Sequence, residues 1–354
     1  MFMRAFAASK AESKTESKVV SKMSTADVLE NRRAFNPIGD PIAQLEFAED
    51  VRRGLSKRGQ KELYSKYLYD DIGSALFDTI TVLPEYGLSR ADARLLRNHS
   101  IGLAKRLDYP KLVVELGSGS GSKTRWILSA IAAKSPVTYC PVDVSPSALE
   151  NCWRELRQLD AVEVVPLAQS YLDGLRQAVQ LRRDDAPMLV LFLGSTLGNF
   201  DPERAQEFLS AVRELMQPGD AFYVSTDLQK ETPRLIAAYD DSIGVTAAFN
   251  LNLIARINRE LNANFNLSQF KHEARYDKKA HRIEMHLRSL VSQRVSIGGD
   301  FTIKLKRGET IWTESSYKFR CEDIVSLASR TGFECEIQWV DEEWPFAQSL
   351  LRVV

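Results

Sequence analysis

The sequence lacks an excess of charge of either sign. Its 354 residues contain 47 lysines and arginines against 47 aspartates and glutamates, so the formal net charge at pH 7 is zero. A protein that binds a duplex usually carries a basic excess, because it must neutralise phosphates, so no nucleic acid is expected among the partners. Long apolar runs are missing too: stretches such as Met188–Gly194 fall far short of the roughly 20 residues that a membrane span needs. No interaction with a membrane is therefore expected.

Cysteine and histidine are scarce, and their spacing matches no common metal site. The cysteines are Cys140, Cys152, Cys321 and Cys335, and the histidines are His99, His272, His281 and His286. There is no Cys-x-x-Cys pair and no His-Glu-x-x-His pattern, so the sequence predicts no metal site and no disulfide framework. Scattered free cysteines are typical of a reducing compartment, and we expect a cytoplasmic protein.

The composition is otherwise that of a folded globular protein, with 44% apolar and 27% charged residues, and the length favours two domains. The exception is Met1–Ser24, where Ser-Lys recurs at a period of four with almost nothing apolar to bury. We expect residues 1–25 to be a disordered tail, or an over-extended start upstream of Met23. A secretory signal is not expected because Arg4 interrupts the first apolar run, and Glu12 and Glu16 argue against a mitochondrial address.

Between residues 111 and 227, short apolar runs alternate with helical patterns. The apolar runs are Lys111–Leu116, Val137–Val142, Val162–Leu167, Met188–Leu193 and Ala221–Ser225. The clearest helical stripe is Pro202–Met216, which Pro218 and Gly219 terminate. This alternation predicts an α/β fold with a parallel sheet wrapped by helices, which binds its ligands at the carboxyl ends of the strands.

The regular alternation is interrupted after Asp227. The elements predicted beyond this point are a helix over Arg234–Asn262 and strands over Arg282–Ile297, Asp300–Lys318, Glu334–Val340 and Ser349–Val354. Residues 40 to about 100 have a mostly helical pattern. We therefore expect a second, smaller α+β domain that covers the open end of the parallel sheet.

A glycine-rich loop, Glu115–Thr124, follows the first strand of the alternating region. Its glycines let the backbone approach a ligand, and the following helix offers unpaired N–H groups. The Gly-x-Gly-x-Gly spacing differs from the dinucleotide fingerprint, and the loop lacks the Gly-Lys-Ser/Thr ending of a P-loop. Asp143 ends the second strand, where it suits two ribose hydroxyls or, alternatively, caps the next turn through Ser145.

The charge of this loop indicates the kind of ligand. Glu115 suits a cationic ligand and would repel a pyrophosphate. Together with Asp143 it favours S-adenosylmethionine, whose sulfonium and ammonium groups are positive, over an anionic dinucleotide. A nicotinamide-dependent oxidoreductase that uses the same loop is the more distant alternative.

Several separated strings resemble one family, the ergothioneine-pathway L-histidine Nα-methyltransferases (the EgtD type). The strings are Leu68–Asp78, Leu83–Tyr86, Glu115–Arg125, Phe192–Asn199, Thr226–Leu228, Ala238–Asp241, Gly244–Asn250, Arg282–Met285 and Thr313–Phe319. The resemblance runs from about Phe47 to the C-terminus. It implies a class I, Rossmann-like methyltransferase domain formed by residues 91–228 with 319–354. It also implies a substrate-binding cap formed by residues 26–90 with 229–318.

The resemblance implies two sets of site residues. The methyl donor, S-adenosylmethionine, is expected at Glu115, Gly117, Gly119, Lys123, Asp143, Ser170, Gly194 and Ser195. An amino-acid pocket is expected at Tyr69, Tyr86, Asn199, Tyr239, Met285, Glu314 and Ser316. Within it the resemblance assigns the catalytic, orienting role to Tyr69, Asn199 and Tyr239, the latter two on the α-carboxylate and backbone end of the substrate. Glu314 and Ser316, two residues apart on one strand and so on one face, are expected to hold the imidazole.

Two positions depart from the family pattern. Gln169-Ser170 stands where Gly-Asp is common, which puts the usual carboxylate contact to the adenine amine in doubt, and Gly87 stands where a second tyrosine is usual. Taken singly, each residue also has a structural interpretation. Tyr69 and Tyr86 could be aromatic residues of the core, and Met285 could fill space in it. Glu314 and Ser316 could lie on a solvated face of a strand.

The function implied by the resemblance is three successive methylations of L-histidine to its betaine hercynine, the first step of ergothioneine biosynthesis. A related enzyme acting on tryptophan or an indole amino acid is the alternative, and a catalytically idle histidine sensor is a third class. The expected partners are histidine and its mono- and dimethyl forms, with the chain acting as a monomer.

Overall fold

The computed structural model describes residues 41–183 and 185–354. The tail predicted over residues 1–25, and the first part of the predicted cap, lie outside the described residues. The helices are α1 Pro41–Leu55, α2 Asp71–Thr81, α3 Gly87–Arg106, α4 Arg125–Ala132, α5 Pro146–Leu156, α6 Tyr171–Val179, α7 Pro202–Glu214, α8 Thr232–Ala237, α9 Val245–Leu261 and α10 Cys321–Arg330. Short 3₁₀ turns occur at Ser65–Leu68, Thr196–Asn199 and Leu267–Gln269.

The strands make a large sheet, a smaller sheet and a hairpin. In chain order they are β1 Lys61–Glu62, β2 Leu112–Leu116, β3 Val137–Asp143, β4 Val162–Val164, β5 Leu167–Ala168, β6 Met188–Phe192, β7 Ala221–Asp227, β8 Phe270–Asp277, β9 Arg282–Ser289, β10 Gln293–Ile297, β11 Phe301–Leu305, β12 Thr310–Tyr317, β13 Phe333–Asp341 and β14 Phe346–Val353.

The large sheet has the strand order β13-β14-β7-β6-β2-β3-β4, with β5 beside β3. The strands from β4 to β7 run parallel, and β14 is antiparallel to both β7 and β13. Alternate residues enter two separate cores, as Val114 does on one face and Val113 on the other. Burial on both faces explains why these strands read as unbroken apolar runs. The predicted Rossmann-like α/β fold is confirmed.

The strand order reverses between β2 and β6, which places a crevice at the carboxyl ends of these two strands. The smaller sheet has the order β1-β12-β9-β8, and β10 pairs with β11. The smaller sheet shares one apolar core with α1, α2 and α9. This core includes Phe47, Phe249 and Leu287. Trp344 and Phe346, from the end of the chain, also enter this core. The described residues fall in one compact unit, and the division into two domains stays a prediction.

The prediction of a single helix over Arg234–Asn262 is wrong. This segment is divided into α8 and α9, because the carboxylate of Asp241 accepts hydrogen bonds from the N–H groups of Val245 (2.8 Å) and Thr246 (2.7 Å) and so starts a new helix. Gly244, at φ +82°, makes the preceding turn. The break leaves Tyr239 on a loop rather than on a helix face.

Three predicted strands are also divided, and two strands were not predicted. Residues 282–297 form β9 and β10, residues 300–318 form β11 and β12, and residues 162–167 contain β4 and the start of β5. Gly308, at φ +85°, makes the turn before β12, and Ser289 ends β9 by donating to the carbonyl of Val291 (2.8 Å). The unpredicted strands are the two-residue β1, in a region predicted to be mostly helical, and β8, which pairs with β9 along its whole length. In the described part of the chain, no helix is both long enough and apolar enough to cross a membrane.

Gly87, the first residue of α3, packs directly beneath the indole of Trp344. A Cβ atom at this position would lie 2.1 Å from Cε3 of Trp344. The indole therefore occupies the space that a larger residue at position 87 would need. Gly102, in the same helix, has open space at the corresponding point.

We predict opposite effects for alanine at these two positions of α3. Gly87→Ala should lower the free energy of unfolding by about 2 kcal/mol, because the Trp344 ring must move. Gly102→Ala should raise it by up to about 1 kcal/mol, because alanine favours the helix. Urea denaturation of both variants measures the difference, and equal effects would contradict the packing described.

Candidate active site

A cleft of about 1480 Å³ opens where the large sheet meets the smaller one. The carboxyl ends of β2, β3 and β6 form one side, and α2, β9 and β12 contribute to the other. All the predicted site residues line this cleft: Tyr69, Tyr86, Glu115, Gly117, Gly119, Lys123, Asp143, Ser170, Gly194, Ser195, Asn199, Tyr239, Met285, Glu314 and Ser316. Residues that are up to 247 positions apart in the sequence are thus brought to one site.

The glycine loop turns β2 into α4, as predicted. Gly117, Gly119 and Gly121 have φ values of +75°, +52° and +67°, a region that side chains disfavour. The Asp143 carboxylate holds the loop by accepting hydrogen bonds from the N–H of Gly119 (3.0 Å) and of Ser145 (2.9 Å). The turn contact with Ser145 is therefore present, and the same carboxylate lines the cleft. Burial raises the pKa of Asp143 despite these hydrogen bonds.

Glu115 lies behind the glycine loop and is 3% exposed. Its carboxylate accepts hydrogen bonds from the Thr124 hydroxyl (2.7 Å) and the Tyr139 hydroxyl, which fasten the loop to β3. Burial raises the pKa of Glu115 to about 7. Lys123, at the end of the loop, is ion-paired with the buried Asp92 of α3 at 2.6 Å.

Two further predicted donor-binding elements lie on this side of the cleft. Ser170 caps the N-terminus of α6, where its hydroxyl donates to the Asp173 carboxylate (2.6 Å) and accepts from the Asp173 N–H (3.4 Å). The loop after β6 holds Gly194 and Ser195 in left-handed backbone at φ +72° and +61°. The Ser195 hydroxyl accepts a hydrogen bond from the N–H of Asp227 (2.9 Å).

The opposite side of the cleft is walled by aromatic rings. Tyr69 lies 5.5 Å from Phe77 and 5.6 Å from Phe249, measured between ring centroids, and Tyr86 lies 6.0 Å from Tyr239. Burial raises the pKa of each of the three tyrosines well above its usual value. Their hydroxyls are therefore neutral hydrogen-bond donors at physiological pH, and they do not serve as bases.

Glu314 and Ser316 both reach the cleft from β12, as their spacing predicted. Glu314 is 9% exposed and lies opposite Met285 of β9. Burial raises the pKa of the Glu314 carboxyl to about 7, although the charge of Lys318 opposes this. Ser316 lies 2.7 Å from the hydroxyl of Tyr239, measured between the two oxygens. The two pocket residues that were predicted for different ends of the substrate are thus in contact.

Several residues at this junction escaped the sequence analysis. Lys318 donates to the hydroxyls of both Tyr239 and Ser316, and its ammonium is ion-paired with Asp227. Phe77 and Phe249 escaped as well, because an aromatic residue on a helix face is typical of a core. Asp227 and Lys318 stand within strings that carry the family resemblance, which is the signal that could have found them.

The donor set of the cleft suits an organic ligand with positive and hydroxyl groups. The polar groups on its walls include the carboxylates of Asp143 and Glu314, the backbone N–H groups of the glycine loop and neutral tyrosine hydroxyls. Among residues 41–183 and 185–354, no group of three or more histidine, cysteine, aspartate or glutamate side chains is placed to hold a metal ion. The four cysteines are free thiols.

Comparison with known proteins defines the class. Residues 47–353 match the family of histidine-specific, S-adenosylmethionine-dependent methyltransferases. Because the match covers most of the chain, the protein belongs to this family and is an S-adenosylmethionine-dependent enzyme.

Individual relatives agree with this class. The chain is 39% identical over 318 residues to the histidine N-alpha-methyltransferase of Mycobacterium tuberculosis, covering 89% of this chain and 97% of that one. It is also 39% identical over 304 residues to the enzyme of the same name from Mycolicibacterium smegmatis, covering 85% and 93% of the two chains. Ergothioneine biosynthesis protein 1 of Schizosaccharomyces pombe is 29% identical over 297 residues, which cover 81% of this chain and 38% of that protein.

We predict that Asp143→Asn weakens the binding of S-adenosylhomocysteine. An amide at this position cannot accept from two backbone N–H groups and ribose hydroxyls at once, and the lost charge-assisted hydrogen bonds correspond to about 10- to 100-fold in affinity. Asp160→Asn, which changes an exposed carboxylate that does not line the cleft, is the matched control and should bind normally. Isothermal titration measures both, and equal affinities for the two variants would contradict a role of Asp143 in the donor site.

Proposed function

We propose that this enzyme transfers three methyl groups in succession from S-adenosylmethionine to the α-amine of L-histidine, which yields hercynine for ergothioneine biosynthesis. The observation that carries the proposal is the meeting, in one cleft, of the glycine loop and Asp143 with the Glu314–Ser316 edge of β12. Family membership supports the donor and the amino acid. The roles of single residues are argued below from their contacts.

The donor is proposed to lie along the carboxyl ends of β2, β3 and β6. Each Asp143 oxygen already accepts a backbone hydrogen bond, and a carboxylate has about four acceptor positions in all, so acceptor capacity remains for the ribose hydroxyls. Because the Ser170 hydroxyl gives its proton to Asp173, it presents a lone pair that suits an adenine amine. Burial raises the pKa of Glu115, behind the loop, to about 7, and the nearby positive charge of the donor would favour its ionised form.

Histidine is proposed to lie across the aromatic side of the cleft. Glu314 and Ser316 face it from one strand and suit the two nitrogens of an imidazole edge. Asn199, half-buried in the turn after β6, and Tyr239 are proposed to hold the α-carboxylate. With both ends held, Tyr69 and the turn containing Asn199 orient the amine toward the donor.

The chemistry requires orientation more than acid–base catalysis. When bound, S-adenosylmethionine supplies a methyl group that is activated by its sulfonium. The attacking amine must be neutral, and its pKa, roughly 8 in peptides, is lowered further by a neighbouring positive charge. No strong base is needed, in agreement with the neutral tyrosines around the pocket. Holding the amine in line with the methyl group converts a bimolecular step into an effectively intramolecular one.

The aromatic wall accounts for repeated methylation. Each transfer replaces an N–H group with a methyl group, so a pocket that depended on amine hydrogen bonds would reject the intermediates. Rings such as Tyr69, Phe77 and Tyr86 instead offer apolar faces that attract a methylated ammonium. The anchors at the carboxylate and the imidazole are unchanged by each transfer, so the same pose serves all three.

The enzyme is further proposed to act as a monomer in the cytoplasm. Both predicted sets of site residues line one cleft of this chain, which supports the monomer. The half-buried thiols of Cys321 and Cys335 are free, which suits a reducing compartment.

The reaction is tested by mass spectrometry of histidine incubated with the enzyme and S-adenosylmethionine. We expect products heavier by one, two and three methyl groups, with the trimethylated form accumulating. Tryptophan in place of histidine should remain unmodified, because its larger ring has a single nitrogen and cannot hydrogen-bond with both Glu314 and Ser316. Methylation of tryptophan but not histidine would support the related indole-directed enzyme, and binding of histidine without turnover would indicate a sensor.

Glu314→Gln should lower kcat/KM for histidine by at least about 100-fold, since a site built on buried polar contacts loses most of its discrimination when one partner is changed. The ratio of kcat/KM for histidine to kcat/KM for tryptophan should fall as well. Glu207→Gln, which changes an exposed carboxylate on α7, is the control and should behave as the unmodified enzyme. Unchanged selectivity in the Glu314 variant would contradict the proposed imidazole contact.

The raised pKa of Glu314 predicts that the stability of the ligand-free enzyme depends on pH. The Glu314 carboxyl ionises at about 7 when folded, against an ordinary pKa of 4.5, so the folded state holds the proton more tightly. The stability it contributes is present below pH 4.5 and is lost as the pH rises through 7. Glutamine cannot ionise, so the melting temperature of Glu314→Gln relative to the unmodified enzyme should rise from pH 5 to pH 8. A constant difference across this range would contradict the raised pKa.

A further inference from the structure

Lys318 follows β12 directly and lies beneath the amino-acid pocket. Its side chain is 0% exposed. The ammonium nitrogen lies 2.9 Å from the Tyr239 hydroxyl, 2.9 Å from the Ser316 hydroxyl and 3.0 Å from an oxygen of Asp227. The ammonium thus donates hydrogen bonds to the two hydroxyls and is ion-paired with the carboxylate.

Asp227 fixes this ammonium to the donor side of the cleft. It ends β7, and its N–H donates to Ser195 of the loop after β6. Its other carboxylate oxygen accepts from the indole of Trp344 (2.9 Å) and from Lys230. Lys318 and Lys230 are both paired with Asp227. Two positive charges and one negative charge leave this buried cluster with one net positive charge next to Tyr239.

The contacts of Lys318 restrict the protons of the two hydroxyls. Tyr239 and Ser316 each accept one hydrogen bond from the ammonium, and their oxygens are 2.7 Å apart, so one of them donates to the other. The pair therefore has only one hydroxyl proton left for a ligand. A carboxylate near Tyr239 attracts that proton, because a hydrogen bond to a charged acceptor is about twice as strong as a neutral one.

We propose that Lys318 is a positioning residue that makes Tyr239 the donor and Ser316 the acceptor toward the substrate. This proposal rests on the proposed function. With the Tyr239 proton on the α-carboxylate, Ser316 gives its own proton to Tyr239 and keeps a lone pair for the ring. The ring nitrogen at Ser316 must therefore carry hydrogen, and a ring that offers only acceptors is rejected there.

The test compares histidine with 3-(4-thiazolyl)-L-alanine, whose ring has an acceptor nitrogen and no N–H. Dissociation constants are measured calorimetrically in the presence of S-adenosylhomocysteine. For Lys318→Met we expect histidine to bind about 10- to 100-fold more weakly, as for a lost charge-assisted contact. The preference for histidine over the thiazole should shrink about tenfold, because the Ser316 hydroxyl is no longer held in place by the ammonium and can turn its proton from Tyr239 to the ring.

Lys230→Met is the matched control. Lys230 pairs with the same Asp227 carboxylate and is not among the hydrogen-bond partners of Tyr239 or Ser316. Because it shares Asp227 with Lys318, Lys230→Met should also weaken histidine binding, but less than Lys318→Met does, and it should leave the ring preference unchanged because it removes no contact to either hydroxyl. Tyr239→Phe combined with Lys318→Met should lose less affinity than the product of the single losses, because both variants remove one shared network.

Each outcome decides one question. If Lys318→Met folds, binds S-adenosylhomocysteine and retains the ring preference of the unmodified enzyme, the positioning role is overturned. Equal losses for the Lys318 and Lys230 variants also overturn it, since the cluster would then act through packing alone. Should Lys318→Met fail to fold, Lys318→Gln is measured in the same way. If the unmodified enzyme binds S-adenosylhomocysteine but not histidine, the proposed function fails instead.

Discussion

The buried carboxylate of Asp227 connects the sheet, the donor side of the cleft and the amino-acid pocket. Its backbone holds the loop that contains Ser195, and its side chain pairs with Lys318 and accepts from Trp344. Desolvation alone would raise the pKa of Asp227, but Lys318 and Lys230 hold it below its usual value. Since breaking a buried ion pair leaves an uncompensated charge, this junction resists change, and the geometry of both halves of the cleft depends on it.

Desolvation sets the chemistry of the rest of the site. Burial raises the pKa values of Glu115 and Glu314 to about 7 and keeps the pocket tyrosines protonated. The cleft thus offers neutral donors, oriented carboxylates and aromatic faces, with no strong base. Methyl transfer to an amine suits such a site, because the donor supplies the reactivity and the protein supplies alignment.

Much of the fold could be predicted from the sequence. Strands buried on both faces, such as β2 and β6, read as apolar runs, and the stripe of α7 is regular. The break between α8 and α9 could not be predicted, because the signal is a side chain, Asp241, that caps backbone groups four and five residues later. The strand β8 was missed because charged and half-buried residues dilute its alternation.

The residues of the candidate site could be named from the sequence, but the contacts between them could not. The residues came from ordered strings along the chain, and the structure gathers them in one cleft. Spacing could not show that Tyr239 touches Ser316, since they lie 77 residues apart. Nor could it show that Lys318 is buried, because a lysine after a strand usually faces solvent. Its ion partner, Asp227, belongs to a different sheet, so only the folded chain reveals the pair.

The most direct test of this account is a crystal structure of the enzyme with histidine and S-adenosylhomocysteine bound together. The account predicts the imidazole against Glu314 and Ser316, the carboxylate at Asn199 and Tyr239, and the amine facing the sulfur of the spent donor. A histidine bound with its ring away from the Glu314–Ser316 edge, or with its amine turned from the sulfur, would contradict it.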